Sequence, residues 1–495
     1  MFQLRLKFLT GLAVLIYLTF SFTLQQAQAQ EPQDNKVFIP FLVAKEKATP
    51  PPPGPQPIQG AFFVQPDTKT GSAAIAVDKQ GGMHLAYRYY LPDDEHPAAV
   101  YLYCPSQSTN CADPAKWTGV SMADYVNEVQ LGLTPTGQPR LLIRLNSPQV
   151  ALGNDFYYAA CDQSCTDPSK WSLTYLLTTS GMASHETEDI TTPQRSFALD
   201  PQGRPRFVYL DKNTADAEPD HLGTFYAFCD EQCTNAANWY ETRISWGDNP
   251  FYEHFYYPAL AFTNLGQPRV VGDGLYLVQG QALGIYYLAC DTNCDDSSNW
   301  QRVRLFDRGS GPKVSWDLEM NGNQPRLAFY EGAQLGGAGD ILYYAWCNNN
   351  CLSPAGWQRR NLGLGSMNGK HPDLELDGQG RPRLAYAVQN GGGIGYAWCT
   401  GNCESAQGQW QQRVVDTAAK LEQAYPVARP PHCDAGLWDS MTPVLALDTA
   451  GNPRLAYDAA YNTRCWYDDP NDNQPPFLRF SQIWHTVRVN YFPQP

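Results

Sequence analysis

From about residue 70 to the C-terminal end, short apolar strands alternate with polar turns in a repeating unit. Each unit has an apolar strand, a turn that ends in Gly-x-Pro-Arg or a close variant, and a second apolar strand such as Leu384-Ala385-Tyr386. The unit occurs seven times, most clearly at Leu199–Arg206, Leu376–Arg383 and Leu447–Arg454. Three residues before the last turn position stands Gly in six units and Asn323 in the other, and both residue types tolerate positive φ. These turns are therefore predicted to be tight β-hairpins.

A third strand in each of the first six units ends at a cysteine, and a fourth strand begins near a tryptophan. In one unit Cys347 closes the third strand, Cys351 follows four residues later, and Trp357 opens the fourth strand. The 14 cysteines are predicted to form seven disulfides, as expected in an oxidising compartment. The predicted pairs are Cys104 with Cys111, Cys161 with Cys165, Cys229 with Cys233, Cys290 with Cys294, Cys347 with Cys351, Cys399 with Cys403 and Cys433 with Cys465.

Seven such units with no helical periodicity predict an all-β fold, a seven-bladed β-propeller of four-stranded antiparallel blades. A β-solenoid is the competing arrangement for a repeat of this length. The recurring tryptophan is expected to pack between blades, because radially arranged blades bury their faces against one another. All seven units are expected to contain four strands, so closure of the ring is expected to need no strand exchange. Alternatively, Ile58–Val64 adds an edge strand to the last blade.

The Leu-Asp-x-x-Gly-x-Pro-Arg-x-Ala-Tyr units resemble the repeats of secreted bacterial sialidase-like propellers of the BNR type, over roughly residues 70–490. This resemblance implies the propeller fold. The Ser-x-Asp-x-Gly-x-x-Trp box of sialidases, the Asp-box, is absent from the sequence. The resemblance therefore extends to the fold and not to sialidase activity.

The sequence pattern of the N-terminal region indicates an exported protein. Residues 1–29 have the pattern of a signal peptide, with basic Arg5 and Lys7, an apolar stretch from Phe8 to Phe22 and the cleavage site Ala27-Gln28-Ala29. Residues 30–57 are predicted to be a Pro-rich linker, and residues 58–495 the propeller domain. We therefore expect a secreted or cell-surface protein with no membrane span after cleavage. Retention of the signal as an anchor is the alternative.

Charge and composition restrict the partners. The chain has 35 Lys+Arg against 49 Asp+Glu, a net charge of −14, which argues against nucleic-acid binding. Arginine ends the turn in six of the seven units, so it is expected to serve the architecture by bonding a neighbouring carboxylate or turn carbonyls. No histidine recurs with the cysteine pairs, so a zinc site is not expected. We expect no cofactor, no bound metal and a monomer.

The two faces of the predicted propeller differ. The strand-one to strand-two and strand-three to strand-four turns share the nearly uniform turn face. The strand-two to strand-three and inter-blade loops, which differ in length and composition, share the variable face. Cys433 and Cys465 are both predicted to lie in loops of the variable face, where one disulfide would join them. Divergent loops on a rigid scaffold are the usual site of recognition.

Candidate binding residues on the variable face and at the channel mouth combine aromatic rings with carboxylates and basic groups. They are Glu128, Arg195, Trp246, Tyr252, His254, Tyr257, Lys313, His371, Trp438 and Asp439. Aromatic faces beside polar groups suit sugars, which offer an apolar ring face and many hydroxyls. No catalytic residue is assigned from the sequence.

Three functions are compatible with this pattern. The primary hypothesis is a binding module for a glycan or an extracellular protein, acting through the variable face. The alternative is a polysaccharide-active enzyme, a glycoside hydrolase or lyase, with acid and base groups converging at the channel mouth. Carboxylates roughly 5–10 Å apart there would favour the enzyme. A purely structural scaffold would have a featureless variable face.

Overall fold

Seven four-stranded antiparallel sheets form a seven-bladed β-propeller. The computed structural model describes residues 60–63, 70–90, 97–105, 111, 113–123, 125–146, 154–179, 195–211, 223–245, 253–276, 284–307, 314–331, 341–364, 368–388, 392–429, 431–467 and 477–494. The predicted signal peptide and linker lie outside these residues. No helix in the described part of the chain has the length and apolarity needed to cross a membrane.

The strands follow the predicted repeat. Blade 1 contains β2 (Thr70–Val77), β3 (Met83–Tyr90), β4 (Pro97–Cys104) and β5 (Thr118–Ala123). Blade 2 contains β6 (Val126–Leu133), β7 (Pro139–Asn146), β8 (Asn154–Ala160) and β9 (Ser172–Thr179). Blade 3 contains β10 (Phe197–Leu199), β11 (Pro205–Asp211), β12 (Gly223–Cys229) and β13 (Trp239–Arg243). Blades 4 and 5 contain β14 (Glu253–Phe262), β15 (Pro268–Tyr276), β16 (Gly284–Ala289) and β17 (Gln301–Asp307), then β18 (Val314–Asn321), β19 (Gln324–Glu331), β20 (Ile341–Cys347) and β21 (Trp357–Asn361).

The last two blades are joined by a helical connection. Blade 6 contains β22 (Asn368–Leu376), β23 (Pro382–Val388), β24 (Gly393–Cys399) and β25 (Trp410–Asp416), and the short helix α1 (Ala418–Ala424) follows it. Blade 7 contains β26 (Leu437–Leu447), β27 (Pro453–Tyr467), β28 (Phe477–Tyr491) and the N-terminal strand β1 (Gly60–Phe63). The first strand of each blade contacts the first strand of the next, and β26 contacts β2, so the seven first strands surround the axis.

The ring is closed by strand exchange. β1 pairs antiparallel with β28 as the outermost strand of blade 7, from Gly60 opposite Tyr491 to Phe63 opposite Arg488. The last repeat therefore supplies three strands, and the expectation of four strands in all seven units is wrong. The alternative, an edge strand from the segment Ile58–Val64, is confirmed. Joining the two ends of the chain in one sheet also covers the edge of β28.

The repeated arginine is architectural, as predicted. Arg206 is buried, and its guanidinium donates to the carbonyls of Pro205 and Cys229 and to the carboxylates of Asp230 (2.6 Å) and Asp200 (3.3 Å). It thereby joins the strand-one to strand-two turn to the end of strand three. The equivalent arginines donate to the carbonyl that closes strand three in their own blades: Arg140 to Cys161, Arg269 to Cys290, Arg326 to Cys347, Arg383 to Cys399 and Arg454 to Phe492.

The turn glycine also contributes to packing between blades. Gly203 has a φ of 80°, a conformation that L side chains rarely adopt, and a Cβ there would lie 2.8 Å from Pro135 in the turn of blade 2. The position therefore needs glycine both for its backbone angle and for the close approach of two turns.

The recurring tryptophan packs between blades, as predicted. Its ring meets a tyrosine from the third strand of the preceding blade, with centroids 5.0 to 5.3 Å apart. The pairs are Tyr101 with Trp171, Tyr158 with Trp239, Tyr226 with Trp300, Tyr287 with Trp357 and Tyr344 with Trp410. Phe492 takes the tryptophan's place against Tyr396. Such edge-to-face pairs add about 0.5–1.5 kcal/mol each beyond the area they bury.

All seven predicted disulfides are present. Six of them staple the strand-three to strand-four turn. The seventh, Cys433 with Cys465, differs from the prediction in one respect. Cys465 lies within β27 rather than in a loop, because β27 and β28 each extend to 15 residues. Cys433 forms a β-bridge beside it.

Candidate functional site

Seven of the ten predicted site residues belong to the part of the chain that the structure describes. Among the predicted site residues, Trp246, Tyr252 and Lys313 lie outside the described residues. His254 lies in β14, opposite Leu275. The site is therefore built from the axis and from blade 7.

Two adjacent blades bring carboxylates to the axis. The first-strand residue that pairs with the turn arginine, or with His84 in blade 1, is small in five blades: Ala76, Gly132, Ala198, Ala261 and Ala446. In blades 5 and 6 this residue is Glu319 and Glu375. Each belongs to the sequence Asp-Leu-Glu, which places Asp317 and Asp373 two residues earlier on the same strand face.

Arg195 reaches these carboxylates from blade 3. Its Nε lies 3.4 Å from Asp317, its Nη1 lies 3.3 Å from both Glu319 and Glu375, and its Nη2 contacts Asp373. Nη2 also donates to the carbonyl of Leu445 in blade 7 at 3.2 Å. One guanidinium thus connects four blades across the axis. We call Arg195, Asp317, Glu319, Asp373 and Glu375 the axial cluster.

The two aspartates of the axial cluster also join neighbouring first strands. Asp317 accepts from the backbone N–H of Leu374 at 2.7 Å, and Asp373 accepts from that of Leu445 at 2.8 Å. Both side chains are buried. Hydrogen bonds from backbone N–H groups stabilise a carboxylate as an anion. The aspartates are therefore held in place from both sides, by strand backbone and by Arg195.

The glutamates and Asp317 have raised pKa values. Burial raises the pKa of Asp317 well above its ordinary value, against the attraction of Arg195. Burial and the charge of Glu375 raise the pKa of Glu319 to about 8, against the attraction of Arg195. Burial raises the pKa of Glu375 to about 7, again opposed by Arg195. Burial works to lower the pKa of Arg195, but the four carboxylates outweigh it and hold that pKa well above its ordinary value. The side chains of Glu319 and Glu375 stay 28% and 27% accessible, so protons can reach them.

Glu128 is connected to this axis from blade 2. Its carboxylate pairs with Arg144 at 2.9 Å and accepts from the amide of Gln130 at 2.8 Å. Gln130 in turn donates to the hydroxyl of Ser196, the neighbour of Arg195. Hydrogen bonds thus link Glu128 to the residue that follows Arg195 in the chain.

Tyr257 and His371 occupy matching bulges at the variable end of β14 and β22. Each has positive φ, 51° and 49°, directly before a proline, and Thr442 in β26 repeats the arrangement with φ 50°. The carbonyl of Tyr257 accepts from the indole of Trp316 at 2.7 Å, and the backbone N–H of His371 donates to Ser315 at 3.0 Å. Positive φ in residues other than glycine is uncommon and marks positions that the surrounding structure holds in place.

Trp438 and Asp439 lie in β26 beside α1. Trp438 is only 2% exposed and packs edge-on against Tyr461, in a small apolar cluster that includes Leu421 of α1. Asp439 is half-buried opposite Ala460. The indole of Trp438 is thus inside the blade-7 cluster, and the exposed aromatic residue nearby is a different one.

That exposed residue is Trp466. It is 53% exposed and follows Cys465 in the extended part of β27, while Leu437, at the start of β26, is 74% exposed. The backbone of Trp466 donates to the carbonyl of His432 at 2.8 Å, and Asp434 donates to the carbonyl of Arg464 at 2.7 Å. We call residues 431–437 and 462–467 the blade-7 platform.

Sequence reasoning did not select the glutamates of the axial cluster or Trp466. The signal for the first was the Asp-Leu-Glu sequence in two consecutive repeats, at a position where the other repeats have Ala or Gly. The signal for Trp466 was its place next to the cysteine pair with the longest separation, 32 residues. Within the described residues, no group of three or more His, Cys, Asp or Glu side chains is arranged to hold a metal ion.

Three solved structures that are similar to this chain are 8–12% identical to it. No family model matches the sequence, and no curated protein is similar to it. The β-propeller domain of the Trilobed protease from Pyrococcus furiosus is 8% identical with a TM-score of 0.42, covering 85% of this chain and 96% of that one. An α-L-arabinanase of Penicillium chrysogenum complexed with arabinobiose is 12% identical with a TM-score of 0.39, covering 67% and 93%. A GH93 α-L-arabinofuranosidase of Fusarium graminearum is 10% identical with a TM-score of 0.37, covering 66% and 92%.

Proposed function

We propose that this protein is a secreted or cell-surface binding module that recognises a glycan through its variable face, with the blade-7 platform as a contact surface. The observation that carries the proposal is the exposed side chain of Trp466, on a backbone that a disulfide and backbone hydrogen bonds hold in place. The disulfide from Cys433 to Cys465 joins the two segments of the platform. The hydrogen bonds from Trp466 to His432 and from Asp434 to Arg464 hold them in register.

The chemistry of the platform suits a sugar. Trp466 and Leu437 offer apolar surface, and the exposed side chains of His432 and Arg464 offer hydrogen-bond donors beside it. A sugar ring has an apolar face that stacks on an aromatic ring and hydroxyls that accept from such donors. A fixed backbone lowers the entropy lost on binding. The turn face is a poorer candidate, because the arginines that recur there bond to the protein itself.

The proposal is tested on a glycan array with the secreted chain, Trp466→Ala and Tyr240→Ala. Tyr240 is a matched control, since it is 61% exposed on the outer strand of blade 3, away from the platform. We expect a bound glycan to lose at least about tenfold in affinity with Trp466→Ala, about the worth of one aromatic contact. Tyr240→Ala is expected to bind like the unaltered chain. Equal binding by both variants would contradict the platform. A protein ligand in place of a glycan would contradict the ligand class.

The alternative function, a polysaccharide-active enzyme, is favoured by one observation. The carboxyl groups of Glu319 and Glu375 lie 3.3 Å from the same nitrogen of Arg195, so they are no more than twice that distance apart. A proton-bearing carboxyl beside an ionised one is the acid and base pair of glycoside hydrolysis. Incubating any bound glycan and analysing its products over time tests this function. If the glycan is cleaved and Glu319→Gln abolishes the cleavage, the function is catalysis rather than binding alone. If the glycan stays intact, the binding proposal holds.

A further inference from the structure

The axial cluster carries more negative than positive charge. Asp317, Glu319, Asp373 and Glu375 all approach the single guanidinium of Arg195. At the register position of the two glutamates, the other five blades have small uncharged residues: Ala76, Gly132, Ala198, Ala261 and Ala446. Four carboxylates beside one cation in a narrow channel repel one another, and proton uptake relieves that repulsion.

The arrangement of the four carboxyl groups favours proton uptake at the glutamates. Asp317 and Asp373 each accept from the backbone N–H of the next blade and also contact Arg195. Glu319 and Glu375 share one nitrogen of that guanidinium. Two carboxylates that approach the same guanidinium nitrogen also lie close to each other, and their repulsion falls when one of them is protonated. Glu319 and Glu375 therefore take up protons, as does Asp317, whose pKa burial raises well above its ordinary value against the attraction of Arg195.

We propose that Glu319 and Glu375 form a proton-binding pair on the axis, and that proton uptake by this pair makes the folded propeller more stable in mildly acidic than in mildly alkaline solution. The proposal does not depend on the ligand of the variable face. It assigns a role to Arg195 as well, since this one side chain connects blade 3 to blades 5, 6 and 7 across the channel.

The sign follows from the direction of the pKa changes. The pKa of Glu319 is about 8 and that of Glu375 about 7 in the folded protein, both raised from an ordinary value of 4.5. The folded state therefore holds more protons than the unfolded state at intermediate pH. The resulting stabilisation is complete below the unfolded pKa and is lost as pH rises through about 7 and 8. For each extra proton that the folded state holds, the equilibrium constant for unfolding rises by up to about tenfold per unit increase in pH over that interval.

The test compares denaturant unfolding of the full chain at several pH values between about 5 and 9, the interval that contains both raised pKa values. The double variant Glu319→Gln/Glu375→Gln keeps the size of the side chains and mimics their protonated forms. Glu404→Gln is the control, because it also removes one carboxylate paired to an arginine, Arg326, but at the turn face. Histidines titrate in the same interval and are unchanged in both variants, so the comparison isolates the pair.

We expect the unfolding constant of the unaltered chain and of Glu404→Gln to rise with pH, and that of the double variant to rise less steeply. The proposal would be overturned if the double variant kept the slope of the unaltered chain. Carbon-13 NMR of the labelled glutamate carboxyl groups tests it in the unaltered chain, should the double variant fail to fold. Two signals that titrate near neutral pH support the proposal, whereas titration of all glutamates near their ordinary pKa of about 4.3 contradicts it.

Discussion

Arg204 and Arg206 approach the same two carboxylates from different environments. Both contact Asp200 and Asp230, but the side chain of Arg204 is 38% exposed and that of Arg206 only 5%. Arg206 alone also donates to the carbonyl of Cys229. An exposed ion pair contributes little to stability, whereas a buried charge network that loses one partner leaves unpaired groups behind. The two residues therefore form a matched pair for testing the architectural role of the repeated arginine.

We expect Arg206→Ala to lower the free energy of unfolding by about 3 kcal/mol and Arg204→Ala by less than about 1 kcal/mol. Chemical denaturation at constant pH measures both. Neither substitution is expected to change binding at the variable face, since both residues lie on the turn face. Equal losses for the two variants would mean that burial and the Cys229 carbonyl are not what makes the repeated arginine important.

The residues of the axial cluster could be predicted from the sequence only in part. Arg195 was selected as a candidate, but its partners were not, because they lie in repeats more than a hundred residues away. Comparing repeats emphasises what they share, and Glu319 and Glu375 are important because they differ from the Ala or Gly of the other repeats. The available signal was a charged residue at a position where the other repeats have Ala or Gly.

At the scale of the element, the two kinds of disulfide perform different tasks. Cys399 and Cys403 close a turn of sequence separation 4, while Cys433 and Cys465 close a loop of separation 32. The longer loop has more conformational freedom in the unfolded chain, so its closure stabilises more. It also fixes both segments of the blade-7 platform.

We predict that Cys433→Ser/Cys465→Ser lowers the free energy of unfolding by about 4 kcal/mol and that Cys399→Ser/Cys403→Ser lowers it by about 2 kcal/mol. Only the first double variant is expected to weaken glycan binding, because only that disulfide lies in the platform. Denaturation and binding are measured on the same samples. Unchanged binding after loss of the Cys433 to Cys465 disulfide would remove the platform from the recognition surface.

The elements that the sequence predicted well are those that repeat. The turn glycine, the strand-three cysteine and the tryptophan each occur at the same place in several units, so each copy supports the others. Trp410, which comes one residue later after its cysteine than the other tryptophans, illustrates the limit. It still packs on Tyr344, but its buried indole N–H has no acceptor among the described residues, whereas Trp357 donates to Cys351. Elements without a repeat, such as the extended part of β27, left no comparable pattern.

At the scale of the whole molecule, closure depends on four residues from the N-terminal side. β1 has no copy in the other repeats, and its apolar sequence Gly-Ala-Phe-Phe was compatible with an edge strand without requiring one. β1 takes the edge position next to β28 because the last repeat has no fourth strand of its own. In the absence of β1, the backbone groups of β28 at this edge would have no strand partner, and an open sheet edge is prone to pair with other chains.

We predict that a chain beginning at residue 70 is less stable than one beginning at residue 58 and associates at higher concentration. The longer chain serves as the control, because it differs only by residues 58–69, which include β1. Thermal unfolding and sedimentation velocity measure the two effects. Identical midpoints and identical sedimentation would show that strand exchange contributes nothing to closure.

We expect recognition to take place on the variable face, with the blade-7 platform in contact with the ligand. Hydrogen exchange of the full chain, with and without a bound glycan, tests it most directly, because it reports every region of backbone at once. Binding is expected to slow exchange in residues 431–437 and 462–467 and to leave the Gly-x-Pro-Arg turns unchanged. Protection confined to those turns, with none at the platform, would contradict it.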